Sequence, residues 1–393
     1  MNWFGFGFNG FGQIVPRQKD GEYVDSAKVL SPVSLGSLCT CGGKKQLSPK
    51  HKTETEKQKS KIVASWSCTA IIQINDDPHV CISGFINDSG GDVNARGLRV
   101  PESEGCEDAL ISERYLTLSF ADRVECWSLK PTGRALAWSR VQYTSDDTGS
   151  TPFYSGPTIK FPLVSGGYIA SKPPFFQPLS SQLYAVNLAL GAEHAVLLTA
   201  SGTVYTWGSA SHGQLGHGSL VSEEKPQAVE ALCGLPMKHV AAGCWHSACI
   251  SAGGDLYVWG WNESGQIGLP SKGLKDANQR GQNIGKDELM LNKGDSNVFI
   301  SIQAFPALVD VSEMSEICKV SCGSRHTAAV TSTGNLYTWG WGHYGQLGHG
   351  SKCSSDEPKV VEYFSNGAMF VEDVVCGLWN TFVSAVPREH PAL

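Results

Sequence analysis

The sequence lacks the features of a membrane protein, a secreted protein or a strongly cationic nucleic-acid binder. No run of 18 apolar residues occurs in the 393-residue chain, so no transmembrane helix is predicted. The N-terminus has neither the basic region nor the apolar run of a signal peptide, and we expect none. Only 17% of residues are charged and the net charge is −6, which argues against bulk attraction to nucleic acid.

Catalytic and cofactor signatures are also missing. We find no Ser-His-Asp, paired-carboxylate, P-loop or dinucleotide-binding pattern, so we expect no enzyme activity and no cofactor. The 13 cysteines lack the spacing of a small disulfide scaffold and are predicted to be mostly buried thiols. Cys39 and Cys41 form a C-x-C with no second pair nearby, which favours a loop over a metal site.

What the chain does contain is a repeat of about 52 residues. Each copy has a Gly, a His three places later, a Trp-Gly 16 places after the first Gly, and then Gly-Gln. A Pro-x-x-Val-acid block completes the copy at Pro226, Pro306 and Pro358. The motif residues are Gly191, His194, Trp207, Gly213 and Gln214, then Gly243, His246, Trp259, Gly265 and Gln266, then Gly323, His326, Trp339, Gly345 and Gln346, with Gly377 opening an incomplete copy.

The recurrence of these residues indicates structural roles. Runs such as Leu256–Trp259 are rich in β-formers, so we expect four short antiparallel strands per copy. One large aromatic of each copy is predicted to wedge between neighbouring units. The glycines suit turns, and the glutamines suit hydrogen bonds to backbone groups that the turns leave unpaired. Histidines repeated in one register favour a structural role over metal binding or catalysis.

The two ends of the chain complement each other. After Gly377, Asn380 stands where His is expected, and the chain ends before a Trp-Gly half. The segment Phe6–Ile14 supplies that half, because it aligns with Trp259–Ile267. This predicts a ring closed by one blade that both termini build, an arrangement that also removes an exposed sheet edge.

The chain is predicted to be a single domain over residues 1–393. Residues 15–61 are assigned to a polar insertion, lysine-rich from 42 to 61, which suits a solvated loop or an import or anion-binding segment. Residues 62–91 are a weakly matching copy of the repeat, and residues 92–180 are degenerate blades without assignable boundaries. Residues 188–386 hold the clear repeats. Residues 270–298 are predicted to form a surface loop between neighbouring blades.

The pattern Trp-Gly-x-x-x-x-Gly-Gln-[Leu/Ile]-Gly, read from Trp207, Trp259 and Trp339 and joined to Gly-x-x-His, resembles the regulator of chromosome condensation repeat. That resemblance implies an all-β propeller, usually of seven blades, of which five are discernible in the sequence. The opening Trp3–Phe8 and the Trp379-Asn380-Thr381 ending are similar to one group of adaptors within the family. This likeness implies a JmjC-type 2-oxoglutarate-dependent histone demethylase or hydroxylase as partner.

The same likeness implies chromatin regulation, transcriptional repression, mitotic chromosome segregation, and a location in the nucleus and on chromosomes with some protein in the cytoplasm. Two alternatives stay open: guanine nucleotide exchange on a small GTPase, and direct binding of histones or chromatin through the lysine-rich segment. A light-sensing role, known in one branch of the family, needs clustered tryptophans and arginines across a dimer. Trp245 and Trp379 are present, but the scarcity of arginines argues against this role. We expect the protein to be monomeric on its own and not membrane-bound.

A Pro- and aromatic-rich segment, residues 161–178, is the sequence candidate for partner binding. It suits an extended peptide that enters a partner's groove, or a connector that lies across the propeller. The candidate contact residues are Phe161, Tyr168, Lys172, Phe175 and Phe176.

Overall fold

The computed structural model describes residues 2–15, 27–35, 59–85, 97–130, 133–142, 159–275, 298–312 and 315–388. Within these ranges the strands form seven antiparallel sheets. Neighbouring sheets contact each other through their first strands, and the sheets within residues 108–141 and 163–178 are joined by buried side chains. The seven sheets therefore close into a ring. The predicted all-β propeller is therefore confirmed, with seven blades.

The closing blade joins both ends of the chain, and the other six follow in sequence order. The closing blade contains β1 (Asn2–Phe8), β2 (Lys28–Ser34), β26 (Met369–Cys376) and β27 (Asn380–Pro387). Blade 1 contains β3 (Lys59–Ala64), β4 (Cys68–Ile74), β5 (His79–Gly84) and β6 (Leu98–Arg99). Blade 2 contains β7 (Asp108–Ile111), β8 (Tyr115–Ser119), β9 (Arg123–Lys130) and β10 (Gly133–Val141). Blade 3 contains β11 (Leu163–Val164), β12 (Gly167–Ile169) and β13 (Phe176–Pro178).

Blades 4 to 6 are the clear repeats. Blade 4 contains β14 (Ala185–Leu190), β15 (His194–Thr199), β16 (Val204–Gly208) and β17 (Glu223–Ala228). Blade 5 contains β18 (Met237–Ala242), β19 (His246–Ser251), β20 (Leu256–Trp261) and β21 (Ile302–Val309). Blade 6 contains β22 (Ile317–Cys322), β23 (His326–Thr331), β24 (Leu336–Gly340) and β25 (Ser355–Val360). A short helix, Glu362–Asn366, leads from blade 6 into the closing blade.

The residue types in a strand depend on whether the strand lies inside the blade or at the outer rim of the ring. The second strands, β15, β19 and β23, are buried at every position because neighbouring blades cover both of their faces. The outermost strands, β17, β21 and β25, carry the proline of the Pro-x-x-Val block. Proline lacks a backbone N–H and is tolerated in a sheet chiefly at its edge. The block therefore marks the rim of each blade.

Strand β1 closes the ring by pairing with β27. The pairing is antiparallel and runs in register from Asn2 opposite Ala385 to Gly7 opposite Asn380. The N-terminal segment, which aligns with blade 5 in sequence, also makes the same side-chain hydrogen bond. The Asn9 side-chain oxygen accepts from the N–H of Ile14 (2.8 Å), as the Asn262 oxygen accepts from the N–H of Ile267 (3.2 Å). Closure by both termini, predicted from the sequence, is present.

Two assignments made from the sequence need correction, and a third region gains its boundaries. The segment 15–61 is not wholly an insertion, because it contains β2, the rim strand of the closing blade, and the start of β3. The polar composition hid β2, although its Pro32 marks a rim strand as in blades 4 to 6. The loop 270–298 joins β20 to β21, which pair with each other, so it lies within blade 5 and not between blades; residues 276–297 lie outside the described ranges. The degenerate region 92–180 supplies β6 and blades 2 and 3.

A large aromatic side chain packs at each junction between the clear repeats, as predicted. Trp259 of blade 5 lies in the core of blade 4, and Trp339 of blade 6 lies in the core of blade 5. Phe6 takes this place for the closing blade and packs against blade 6. Each ring covers a glycine of the preceding blade; a Cβ added to Gly348 would lie 2.9 Å from the Phe6 ring.

We expect Phe6→Ala to reduce the free energy of unfolding by about 3–5 kcal/mol, because it removes a fully buried ring and leaves a cavity at the junction that closes the ring. Chemical denaturation monitored by tryptophan fluorescence measures this change. Tyr184→Ala is the matched control, since Tyr184 is 74% exposed. A loss from Phe6→Ala no larger than that of the control would contradict the role given to Phe6.

Candidate interaction face

Two sets of turns meet on one face of the propeller. In each complete blade of the clear repeats, the turn between the first and second strands lies at the same end as the connection between the third and fourth, because the strands are antiparallel. The first set holds the residues before the repeated histidines, and the second holds those after Trp-Gly. We call this end the turn face.

The repeated histidines tie neighbouring blades together beneath the turn face. The Nε2 atoms of His194, His246 and His326 lie 2.8, 2.9 and 3.0 Å from a hydroxyl of the next blade. Those hydroxyls belong to Ser247, Thr327 and Thr381, and they donate to the carbonyl oxygens of Gln214, Gln266 and Gln346. Because each hydroxyl proton is used in this way, the hydroxyl oxygen accepts from the histidine, and Nε2 carries the proton.

These histidines are held neutral. Burial lowers the pKa of His194 to about 4 and the pKa values of His246 and His326 to about 3. In each ring the second nitrogen, Nδ1, has no hydrogen-bond partner among the described residues, so a proton placed there would be buried and unpaired. With 5% or less of each residue exposed, these side chains have little access to a substrate in solution.

The repeated glutamines and glycines shape the turns. The Gln214 side-chain oxygen accepts from the N–H of His212 (2.8 Å), and Gln266 and Gln346 do the same two residues upstream. The carbonyl oxygen of Gln214 also accepts from Trp259 Nε1 at 2.8 Å. Gly213 has a φ of 73°, in the left-handed region that favours glycine, and Gly265 and Gly345 share it.

An arc of aromatic side chains, none of them among the partner-binding candidates predicted from the sequence, covers part of the turn face. On blade 5, Trp245 and Trp261 meet edge to face at 5.4 Å, and the Arg325 guanidinium lies 4.5 Å from the Trp261 ring. The arc continues through Trp341 and Trp379, whose ring centroids are 5.0 Å apart. It ends in the rings Tyr344, Phe8, Phe11, Trp66 and Phe85, each in contact with the next or with Phe11.

The sequence held a signal for this arc. Trp261 and Trp341 each follow a Trp-Gly pair, and Trp245 and Trp379 each stand directly before the His position or its Asn380 equivalent. Trp66 lies in the same turn of blade 1, two residues before Cys68. These tryptophans lie in turns and outside the repeated motif. Packing between blades, which explains the motif residues, therefore does not explain them.

The segment 161–178 is neither an extended peptide nor a connector across the propeller, because it forms blade 3. Phe175 is buried against Tyr115 at 5.0 Å, and the Arg140 guanidinium lies 3.5 Å from the Phe176 ring. The hydroxyl of Tyr168 accepts from Trp207 Nε1 at 3.3 Å. Phe161 packs in the core between blades 2 and 3, which leaves Lys172 as the exposed member of the five candidates.

The central channel is lined by the innermost strands and holds a cavity of about 280 Å³. Lys319 Nζ lies 3.8 Å from Asp373 Oδ1 across two of these strands. Burial, with smaller effects from Lys319 and Lys160, lowers the pKa of His239 to about 4. The described residues contain no group of three or more side chains placed to hold a metal ion. Nor do they include a helix long and apolar enough to cross a membrane.

Comparison with known sequences identifies the repeats. The profile of the regulator of chromosome condensation (RCC1) repeat matches residues 201–250, 253–330 and 333–384, and a second profile of that repeat matches 185–214, 237–266 and 317–346. RCC1 domain-containing protein 1 of Homo sapiens is 38% identical over 408 residues, covering 98% of this chain and 97% of that protein. The same protein of Mus musculus is 39% identical with the same coverage. The ultraviolet-B receptor UVR8 of Arabidopsis thaliana is 32% identical over 50% of this chain and 38% of the receptor.

Solved structures share the fold. Prp20p of Saccharomyces cerevisiae, described with its binding properties to Gsp1p and histones, superposes with a TM-score of 0.63 at 15% identity, covering 99% of this chain and 92% of that chain. Yeast RCC1 (Prp20) bound by Kap60 gives a TM-score of 0.66 at 16% identity, covering 99% of this chain and 89% of that chain.

The buried histidines predict a pH dependence of stability. An unfolded histidine has a pKa near 6.5, so between about pH 6.5 and 3 the unfolded chain binds protons that the folded chain does not. The stabilisation is therefore complete above pH 6.5 and is lost as the pH falls. From pH 7 to 5.5 each such histidine should account for about 1 kcal/mol of lost unfolding free energy.

His326→Asn, which copies Asn380 of the closing blade, should reduce that pH-dependent loss by about 1 kcal/mol. Denaturant unfolding at pH 7 and 5.5 gives the two values, and Thr333→Val at an exposed position is the control. An unchanged difference between the two pH values in His326→Asn would show that His326 is not held neutral.

Proposed function

Because the chain belongs to the regulator of chromosome condensation (RCC1) repeat family, we propose that it is a non-catalytic interaction propeller. It would act as an adaptor for a JmjC-type 2-oxoglutarate-dependent histone demethylase or hydroxylase in chromatin regulation, transcriptional repression and chromosome segregation. It would work in the nucleus and on chromosomes, with some protein in the cytoplasm. Near-full-length similarity to RCC1 domain-containing protein 1 supports this proposal, together with the likeness of the Trp3–Phe8 and Trp379–Thr381 segments to the adaptor group.

The aromatic arc is the observation that favours a binding role. Tryptophan, tyrosine and arginine are over-represented among the residues that dominate the energy of protein–protein contacts. Trp341, Tyr344 and Trp379 make such a group across blade 6 and the closing blade, with centroid separations of 4.9 to 5.9 Å. The rings are held in place by one another, so little side-chain freedom would be lost on binding.

The blade 3 candidates give a second possible contact, centred on Lys172. The buried ring of Phe175 and the half-buried rings of Phe161, Tyr168 and Phe176 would serve there as the support for the exposed loop and not as the contact itself. Deleting the whole segment would remove a blade, so single substitutions at exposed positions are the appropriate test.

We expect Trp341→Ala, combined with Trp379→Ala, to reduce capture of a purified JmjC-type oxygenase by at least about tenfold, because it removes two central rings of the arc. Lys172→Glu tests the blade 3 contact in the same assay. Tyr184→Ala is the control, and thermal unfolding of each variant verifies the fold. Capture that survives both the double variant and Lys172→Glu would argue against the adaptor proposal.

Two other activities fit an RCC1-type propeller. Faster nucleotide release from a small GTPase by catalytic amounts of this chain would favour an exchange factor instead. Direct nucleosome binding would depend on the lysine-rich residues 42–58, which lie outside the described ranges. Their deletion should then lower salt-sensitive nucleosome affinity, whereas residues 59–61 must be kept because they belong to β3.

A further inference from the structure

A small cavity on the turn face lies where the closing blade meets blades 1 and 2. Its volume is about 240 Å³, and its walls include the rings of Phe11, Trp66 and Phe85 and the side chains of Leu129 and Glu113. Three separate parts of the chain build it, because Phe11 follows β1, Trp66 and Phe85 flank β4 and β5, and Glu113 precedes β8.

The three rings enclose the cavity at steep angles. The Phe11 and Trp66 centroids are 5.8 Å apart with an interplanar angle of 89°, and those of Phe11 and Phe85 are 5.7 Å apart at 51°. Rings set at such angles can present π faces from different sides to one guest. Trp66 is 45% exposed and Phe85 is 38% exposed, so part of both residues remains accessible to solvent.

A carboxylate completes the enclosure. Glu113 Oε1 accepts from the N–H of Trp66 at 2.6 Å, and Oε2 accepts from the Ser67 hydroxyl at 2.6 Å. These two bonds fix the carboxylate at the cavity wall. Among the described residues, no lysine or arginine forms a salt bridge with Glu113, so its charge has no paired cation.

Aromatic faces around one space, with a fixed negative charge at its wall, attract a cation that is itself partly apolar. The ring quadrupoles favour positive charge over the faces, and quaternary ammonium groups suit aromatic cages. A plain ammonium is compact and strongly hydrated. A methylated ammonium spreads its charge over methyl groups that can pack against the rings.

We propose that this cavity binds the trimethylammonium head of a methylated lysine on a partner protein. The surface next to it suits a peptide, because the aromatic arc continues from Phe11 to Phe8 at 5.7 Å and from Phe8 to Tyr344 at 5.0 Å. Residues that flank the lysine would lie on these rings. The proposal does not depend on an oxygenase partner, and either proposal can fail without the other.

Calorimetric titration of the full chain with three short peptides tests this site. The peptides differ only at the central side chain, which is trimethyllysine, unmodified lysine, or the neutral carbon isostere that ends in a tert-butyl group. We expect the trimethyllysine peptide to bind about tenfold more tightly than either of the others, because only it combines positive charge with an apolar shell.

Variants locate the site. Phe85→Leu and Trp66→Leu should abolish the preference for the trimethyllysine peptide, and Glu113→Gln should weaken its binding several-fold while the cavity keeps its shape. Tyr184→Leu, at an exposed aromatic elsewhere, should leave the affinity unchanged. Thermal unfolding verifies each fold, and Glu113→Gln keeps the test valid should an aromatic variant fail to fold.

Several results would overturn the proposal. Equal affinity for the trimethyllysine peptide and the tert-butyl isostere would show an apolar pocket with no selectivity for charge. No binding of the trimethyllysine peptide at millimolar concentration would exclude the site. Stronger binding to phosphatidylcholine vesicles than to the peptide would assign the cavity to a lipid headgroup.

Discussion

The antiparallel pairing of β1 with β27 is the constraint on which the rest of the molecule depends. Neighbouring blades cover each other's buried side chains, so a ring with a gap would leave two such surfaces in water. The chain closes the gap with its first strand, the seven-residue β1, whose Phe6 is fully buried against blade 6. The turn face, the channel and the cavity beside Phe11 all require that closure.

Within the ring, each junction between clear repeats is built from the same two contacts. Near the turn face a histidine donates to a hydroxyl of the next blade, which donates to a glutamine carbonyl. Beside that bond, an aromatic of the later blade lies against a glycine of the earlier one. Both contacts are made by residues of the repeated motif. Turn residues outside the motif, such as Trp245, Trp341 and Trp66, are therefore free to serve binding.

The features that recur in every clear repeat could be predicted from the sequence, and the features that occur only once could not. The four strands per copy, the wedged aromatics and the closure were readable, because packing between blades imposes the same residue at the same register. Blades 2 and 3 were not, because their junctions use other contacts, such as Phe175 on Tyr115 and Arg140 on Phe176. The Phe11 cavity was also hidden, because it joins residues from three blades that sequence spacing cannot bring together.

Dependence of the ring on closure by β1 is tested most directly by thermal unfolding of the chain that lacks residues 1–14, with and without a synthetic peptide of those residues. The truncated chain is expected to lose the single cooperative transition of the parent, and excess peptide is expected to restore it by supplying β1 to β27. A truncated chain that unfolds at the same temperature and with the same cooperativity as the parent would show that the ring does not depend on closure by β1.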